Sequence, residues 1–179
     1  MNKAASLMHA HIDDFVKLAT LEMGKRIDEA RGEVKFSADI LAYYAKNAGS
    51  FLAPVKLSPR VGEAHMESSP FGVLFCVEPW NFPYYHLARV AGPQLIARNV
   101  LVVKHAGCVP QCAIAFERLL LDAGAPKGAY TNLLISHQQS AQLIDDPRIK
   151  GVALTCRRRL NIDPPGSVFG RRQHCWGPF

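Results

Sequence analysis

An α/β fold built on a doubly wound parallel sheet, with two helices ahead of it, is what this sequence predicts. Two observations carry that expectation. From Pro70 onward, short apolar runs rich in β-branched and aromatic residues alternate with helical patterns, the rhythm of βαβ units. Ahead of them, apolar residues recur at helical rather than strand spacing. Right-handed crossovers then place helices on both faces of the sheet.

The first helical stretch carries Leu7, Ile12, Phe15, Val16 and Leu18 at mixed spacings of three and four, until Gly24 interrupts. A second runs from about Ile27 to Gly49. Its Val34, Ala38, Leu41, Ala42 and Ala45 form one stripe, with Gly49 placed as the stop. Pro54 and Pro59 mark an irregular connection. Phe71 to Val77 is almost wholly apolar, as in a strand buried on both faces. A helix from about Tyr84 to Ala97 and a second buried strand, Val100 to Val103, follow. Pro110 opens a further helix and Gly124 closes it. Thr131 to Ile135 is the third strand, Gln138 to Asp145 a short helix, and Gly151 to Thr155 the fourth strand. The pattern then stops, because residues 157–179 hold five Arg, three Pro and three Gly with apolar residues scattered singly. The expected organisation is therefore a helical segment over 1–60, a partial βαβ domain over 61–155 and an irregular basic tail over 156–179.

Composition narrows the function classes. With 49% apolar and 20% charged residues in 179, the chain is neither disordered nor fibrous. No apolar run approaches the ~20 residues that cross a bilayer, so no membrane partner is expected. No secretion signal opens the chain, and five cysteines is an odd count, so reduced thiols and a cytoplasmic location are expected. The net charge of +6 is uneven: residues 1–156 carry 16 Lys and Arg against 14 Asp and Glu, and the remaining excess sits in the tail. No basic stripe interleaved with aromatics marks the body, so nucleic acid is not the expected partner.

Parallel sheets bind ligands beyond the carboxyl ends of their strands, which singles out the residues after Val77, Val103, Ile135 and Leu154. After the first strand comes Glu78-Pro79-Trp80-Asn81-Phe82-Pro83. Asn81 is read either as the N-cap of the next helix or as a side-chain amide presented to a ligand, as an oxyanion donor is. After the second comes Lys104-His105-Ala106-Gly107. Lys104 is either a snorkelling strand terminator or a partner for a ribose or phosphate, and His105 is a local turn partner. Cys108 and Cys112 read as packing residues. Cys156, His174 and Cys175 lack the paired spacing of a zinc site.

Pro79-Trp80-Asn81-Phe82-Pro83 preceded by Phe71-Gly72-Val73, and Asn99 to Lys104, resemble the aldehyde dehydrogenase superfamily. Ala123-Gly124-Ala125-Pro126, Gly128, Asn132 and Val152-Ala153-Leu154-Thr155 extend the resemblance to about residue 155. Lys104-His105-Ala106 looks like the bacterial succinate-semialdehyde dehydrogenase branch. The resemblance implies a Rossmann-like cofactor domain that serves oxidation of an aldehyde, succinate semialdehyde in this branch, to the acid with NADP or NAD. It implies that Asn81 stabilises the oxyanion, that Trp80 lines the cofactor site and that Lys104 bonds the adenosine ribose. His105, Ala106, Gly107 and Thr155 belong to the same cofactor edge. NAD-preferring members carry a glutamate at the position of Gly107, so here a 2′-phosphate meets no repulsion.

The family's Thr-Gly-Ser is replaced by Thr155-Cys156-Arg157, and its general-base glutamate and nucleophilic cysteine have no counterpart in this chain. The sequence is therefore expected to be a truncated form, with a frameshifted tail and no activity of its own. A non-catalytic nucleotide-binding or interaction fragment, with homo-oligomerisation, is the alternative.

Overall fold

Three helices, not two, precede the first strand of the computed structural model, which describes residues 1–155. The basic tail and the Cys156, His174 and Cys175 reading lie outside the described residues. Helix α1 (Asn2–Ala10) and helix α2 (Ile12–Met23) part at His11, which leaves helical geometry at φ −108° and ψ 29°. Neither Gly nor Pro marks that break, so the stretch read as one helix is two. Gly24 closes α2 with φ 70°, a conformation that suits a residue without Cβ.

Helix α3 (Ile27–Phe51) runs past the expected stop at Gly49, which lies within its last turn. The expected irregular connection after it contains a hairpin: β1 (Val55–Leu57) pairs antiparallel with β2 (Ala64–Met66). Strands of three residues are too short to display a period of two, so the sequence gives no sign of them.

The sheet is as expected. Strands β3 (Val73–Val77), β4 (Val100–Lys104), β5 (Tyr130–Asn132) and β6 (Ile149–Leu154) are parallel in the order β5-β4-β3-β6. β5 ends at Asn132, one residue after the predicted run begins at Thr131, and Leu134 beyond it is exposed. The crossovers are α4 (Pro83–Ile96), α5 (Pro110–Asp122) and α6 (His137–Ile144). The first two step the chain outward from β3 and the third steps it back past β3. Right-handed connections therefore set α4 and α5 on one face and α6 on the other. The direction reverses between β3 and β6, and the carboxyl ends at such a reversal form the ligand crevice of an open α/β sheet.

Paired residues of parallel strands share a face. Leu74, Cys76, Leu101 and Val103 point to the helix-covered core, where they meet α1 (Ala4, Met8), α3 (Val34, Leu41), α4 (Leu87, Ala91) and α5 (Phe116, Leu120). Lys104, paired with Val77, follows Phe75 and Val102 onto the opposite face. The α1–α3 layer thus shares one core with the sheet and braces the helices that start at its carboxyl edge.

Candidate functional site

The β3–α4 connection, Glu78 to Phe82, leaves the sheet at the reversal point. Three main-chain bonds align the strand ends there: Glu78 N–H to the Lys104 carbonyl (3.1 Å), Thr155 N–H to the Val77 carbonyl (3.0 Å) and Leu133 N–H to the Val103 carbonyl (2.7 Å). The register therefore brings Glu78, Lys104 and Thr155 to one edge.

Asn81 is not the N-cap of α4. Phe82 holds that position without a side-chain cap, and Pro83 stands first in the helix. The orphan N–H groups find their acceptor on α3 instead: Glu33 Oε1 accepts from Tyr84 N (2.8 Å) and Tyr85 N (3.1 Å). The other Glu33 oxygen pairs with Lys25, both residues being buried. Lys25 Nζ also donates to the Asn81 carbonyl (2.9 Å) and sits 3.9 Å above the Phe82 ring. A carboxylate at a helix N-terminus, held by an ammonium that grips the preceding loop, fixes the Asn81 backbone. The side chain of Asn81 is engaged through its Oδ1, which lies 3.2 Å from His86 Nε2.

Trp80, beside it, is 52% exposed. Lys104 is buried, and among the described residues its Nζ has one bond, a 3.3 Å contact to the His105 carbonyl. Burial pushes its pKa down. An ammonium offers three donors, so the donor set at this edge fits a further acceptor such as a ribose hydroxyl or phosphate oxygen. His105 is the local partner the sequence suggests: its Nδ1 lies 3.2 Å from the Glu78 carbonyl and its Nε2 3.0 Å from the Pro83 carbonyl. It straps the β3–α4 connection to the end of β4, and burial lowers its pKa. Ala106 is half-buried. Gly107 is exposed, with nothing within 4 Å of where a Cβ would stand. Thr155 Oγ1 accepts from Arg89 of α4 (3.3 Å).

Glu78 is buried at the centre of this edge. Burial raises its carboxyl to about 8, against the downward pull of the Thr155 hydroxyl and the Arg89 guanidinium. Burial first, then the positive field of Arg89, His105 and Lys25, lowers His86 to about 4. Among the described cysteines, Cys76 and Cys112 are buried, and burial pushes both thiols up, Cys112 to about 12. Cys108 is exposed rather than packed, which corrects the packing reading.

Lys25, Glu33 and His86 escape the motif-based reading. Glu33 carries a signal all the same: it follows Ala30 by three residues and precedes Ser37 by four, on the buried stripe of α3. A charged residue on an apolar stripe implies a buried partner.

The profile of the aldehyde dehydrogenase family matches residues 1–160. The succinate-semialdehyde dehydrogenase [NADP(+)] of Deinococcus radiodurans is 45% identical over 159 residues, covering 89% of this chain and 33% of that protein. A probable succinate-semialdehyde dehydrogenase [NADP(+)] of Synechocystis is 37% identical, covering 94% and 36%. Among solved structures, succinic semialdehyde dehydrogenase of Streptococcus pyogenes in complex with NADP+ superposes with a TM-score of 0.83 at 43% identity, over 86% of this chain and 34% of that one. An NAD-dependent aldehyde dehydrogenase of Sinorhizobium meliloti gives 0.81 at 28% identity, over 86% and 31%. The chain spans about a third of the length of these relatives.

Proposed function

Since the chain belongs to the aldehyde dehydrogenase family, we propose that its sheet edge is the cofactor side of a site that oxidises succinate semialdehyde with NADP+. The observation that carries this reading is the meeting of Glu78, Lys104 and Thr155 at the β3/β6 reversal, with Asn81 in the connection that leaves it. The names of the similar proteins, and the NADP+ bound in the streptococcal structure, support the choice of aldehyde and nucleotide.

The bound dinucleotide would supply a hydride acceptor. This chain's residues do the rest of the work on its side. Lys104 donates to the ribose, Trp80 offers an aromatic wall, and Gly107 leaves room and no negative charge beside a 2′-phosphate. Asn81 holds its side-chain N–H2 toward an oxygen that becomes negative during attack on the aldehyde. Lys25, Glu33 and His105 keep that amide in place.

The 179-residue chain by itself binds nucleotide without turning over aldehyde, in this reading. A nucleophilic thiol has to reach the thiolate state, and burial holds Cys76 and Cys112 protonated, so neither of these two serves. Titrating NADP+ onto the chain, with a Trp80→Phe variant to separate Trp80 from Trp176, should quench Trp80 fluorescence. Addition of succinate semialdehyde should produce no NADPH absorbance. An unchanged Trp80 signal up to millimolar NADP+ defeats the binding reading, and NADPH formation defeats the claim of inactivity. Self-association is proposed through the hairpin, whose Val55, Leu57 and Met66 are exposed. Light scattering that reports a monomer at all concentrations removes that part.

A further inference from the structure

Two buried side-chain atoms near the site have no hydrogen-bond partner among the described residues and face each other. They are Glu78 Oε2 and His86 Nδ1, 3.9 Å apart on residues 4% and 7% exposed. The other ring nitrogen, Nε2, lies 3.2 Å from Asn81 Oδ1. A carboxamide oxygen only accepts, so Nε2 has to carry the proton. In a neutral ring Nδ1 is then an acceptor, and the group facing it is a carboxyl, which donates only in its acid form.

We infer that Glu78 and His86 form a positioning relay: the Glu78 acid proton to Nδ1, and Nε2–H to Asn81 Oδ1, so that the Asn81 N–H2 is turned outward. A small rotation about the Glu78 side chain brings the first contact into bonding range. Removal of the Glu78 proton reverses both bonds. Nδ1 takes the proton and donates to the carboxylate, Nε2 becomes an acceptor, and the Asn81 amide turns to donate to it, with one proton released to solvent.

The groups facing Glu78 and His86 set which state holds. Arg89 on α4 and Thr155 after β6 pull the Glu78 proton off, while burial keeps it on. Cys76 on β3 and Tyr130 on β5 stay protonated beside Glu78, both held up chiefly by burial. Lys25 and His105 add to the positive field that keeps His86 neutral. The balance leaves Glu78 acidic near neutrality and the amide turned outward. That the outward N–H2 serves an oxyanion rests on the proposed function, whereas its orientation does not.

Ring and amide 15N resonances of the full chain read the relay directly. At about pH 6 the His86 ring should be the Nε2–H tautomer, and at about pH 9, above the Glu78 value of about 8, it should convert to Nδ1–H with a change in the Asn81 side-chain amide signals. Glu78→Gln keeps a donor that does not titrate, so the Nε2–H tautomer should persist at both. His86→Gln keeps a donor toward Asn81 and should leave the Asn81 amide signals independent of pH, which gives a second reading where Glu78→Gln fails to fold. An Nδ1–H tautomer at about pH 6, or an unaltered pH response in both variants, overturns the relay. Loss of NADP+ binding with these spectra intact overturns the proposed function instead.

Discussion

Lys104 lies where a strand terminator would ordinarily reach out to water, yet it is 5% exposed and has a single 3.3 Å contact among the described residues. A buried ammonium with unspent donors gains more from an incoming acceptor than an exposed one, because it has already lost most of its water. Bonds to a charged donor contribute about 1.5–3 kcal/mol. Lys104→Ala should therefore raise the NADP+ dissociation constant by roughly tenfold or more, read by the Trp80 titration, with little change in the unfolding midpoint. The Lys25–Glu33 pair behaves in the opposite way, since its members already satisfy each other. Glu33→Ala strips the cap from α4 and leaves Lys25 charged and unpaired, a loss of about 3–5 kcal/mol. Lys25→Met combined with Glu33→Gln keeps an acceptor for the α4 N–H groups and removes the stranded charge. That double variant should recover most of the loss in urea unfolding, and equal midpoints for it and Glu33→Ala would contradict this account.

At the level of elements, α3 and α4 pack closely enough that Gly92 has no room for a methyl group. A Cβ there would stand 2.6 Å from Tyr44 Cδ2 and 3.3 Å from Tyr44 Cγ, ring atoms that no far-end rotation can withdraw. Gly92→Ala gains about 1 kcal/mol in helix propensity and is set against an overpacking cost of about 1–3 kcal/mol. The net should be destabilising, with a lower thermal midpoint, and a stabilised variant would mean that α3 and α4 are not this close. The elements that were legible from sequence are those whose order depends on local pattern: the four sheet strands and the helices between them follow from alternation of apolar runs and caps. His105 was also legible, because its partners, the Glu78 and Pro83 carbonyls, belong to the adjoining connection. The true cap of α4 was not, since Glu33 lies 51 residues before Tyr84. Glu22 is a parallel case: its two oxygens accept from Gln111 N and Cys112 N at the start of α5, 2.8 Å each. Neither carboxylate neighbours its helix in sequence, so no capping pattern could reveal it. The break at His11 stayed hidden because no Gly or Pro stands there to mark it.

For the molecule as a whole, these buried groups make stability depend on pH. Glu78 departs from the usual carboxylate: its folded value of about 8 lies above the ordinary 4.5, so between those values the folded state holds a proton that the unfolded state has lost. Stability from Glu78 is therefore present at low pH and falls as pH rises through that window. His86 has its folded value lowered from 6.5 to about 4, so the unfolded state holds the extra proton in between and stability rises with pH across that range. The Glu78 slope opposes those of His86 and His105 up to about pH 6.5, and above it the Glu78 slope continues to about pH 8. Urea midpoints of the full chain should thus decline from about pH 6.5 to about pH 8. Glu78→Gln, which carries no proton to lose, should flatten that decline while leaving the acid-side rise from His86 in place. A decline of the same steepness in both proteins would show that the proton lost above neutrality belongs to another group, and that Glu78 is already ionised in the folded chain.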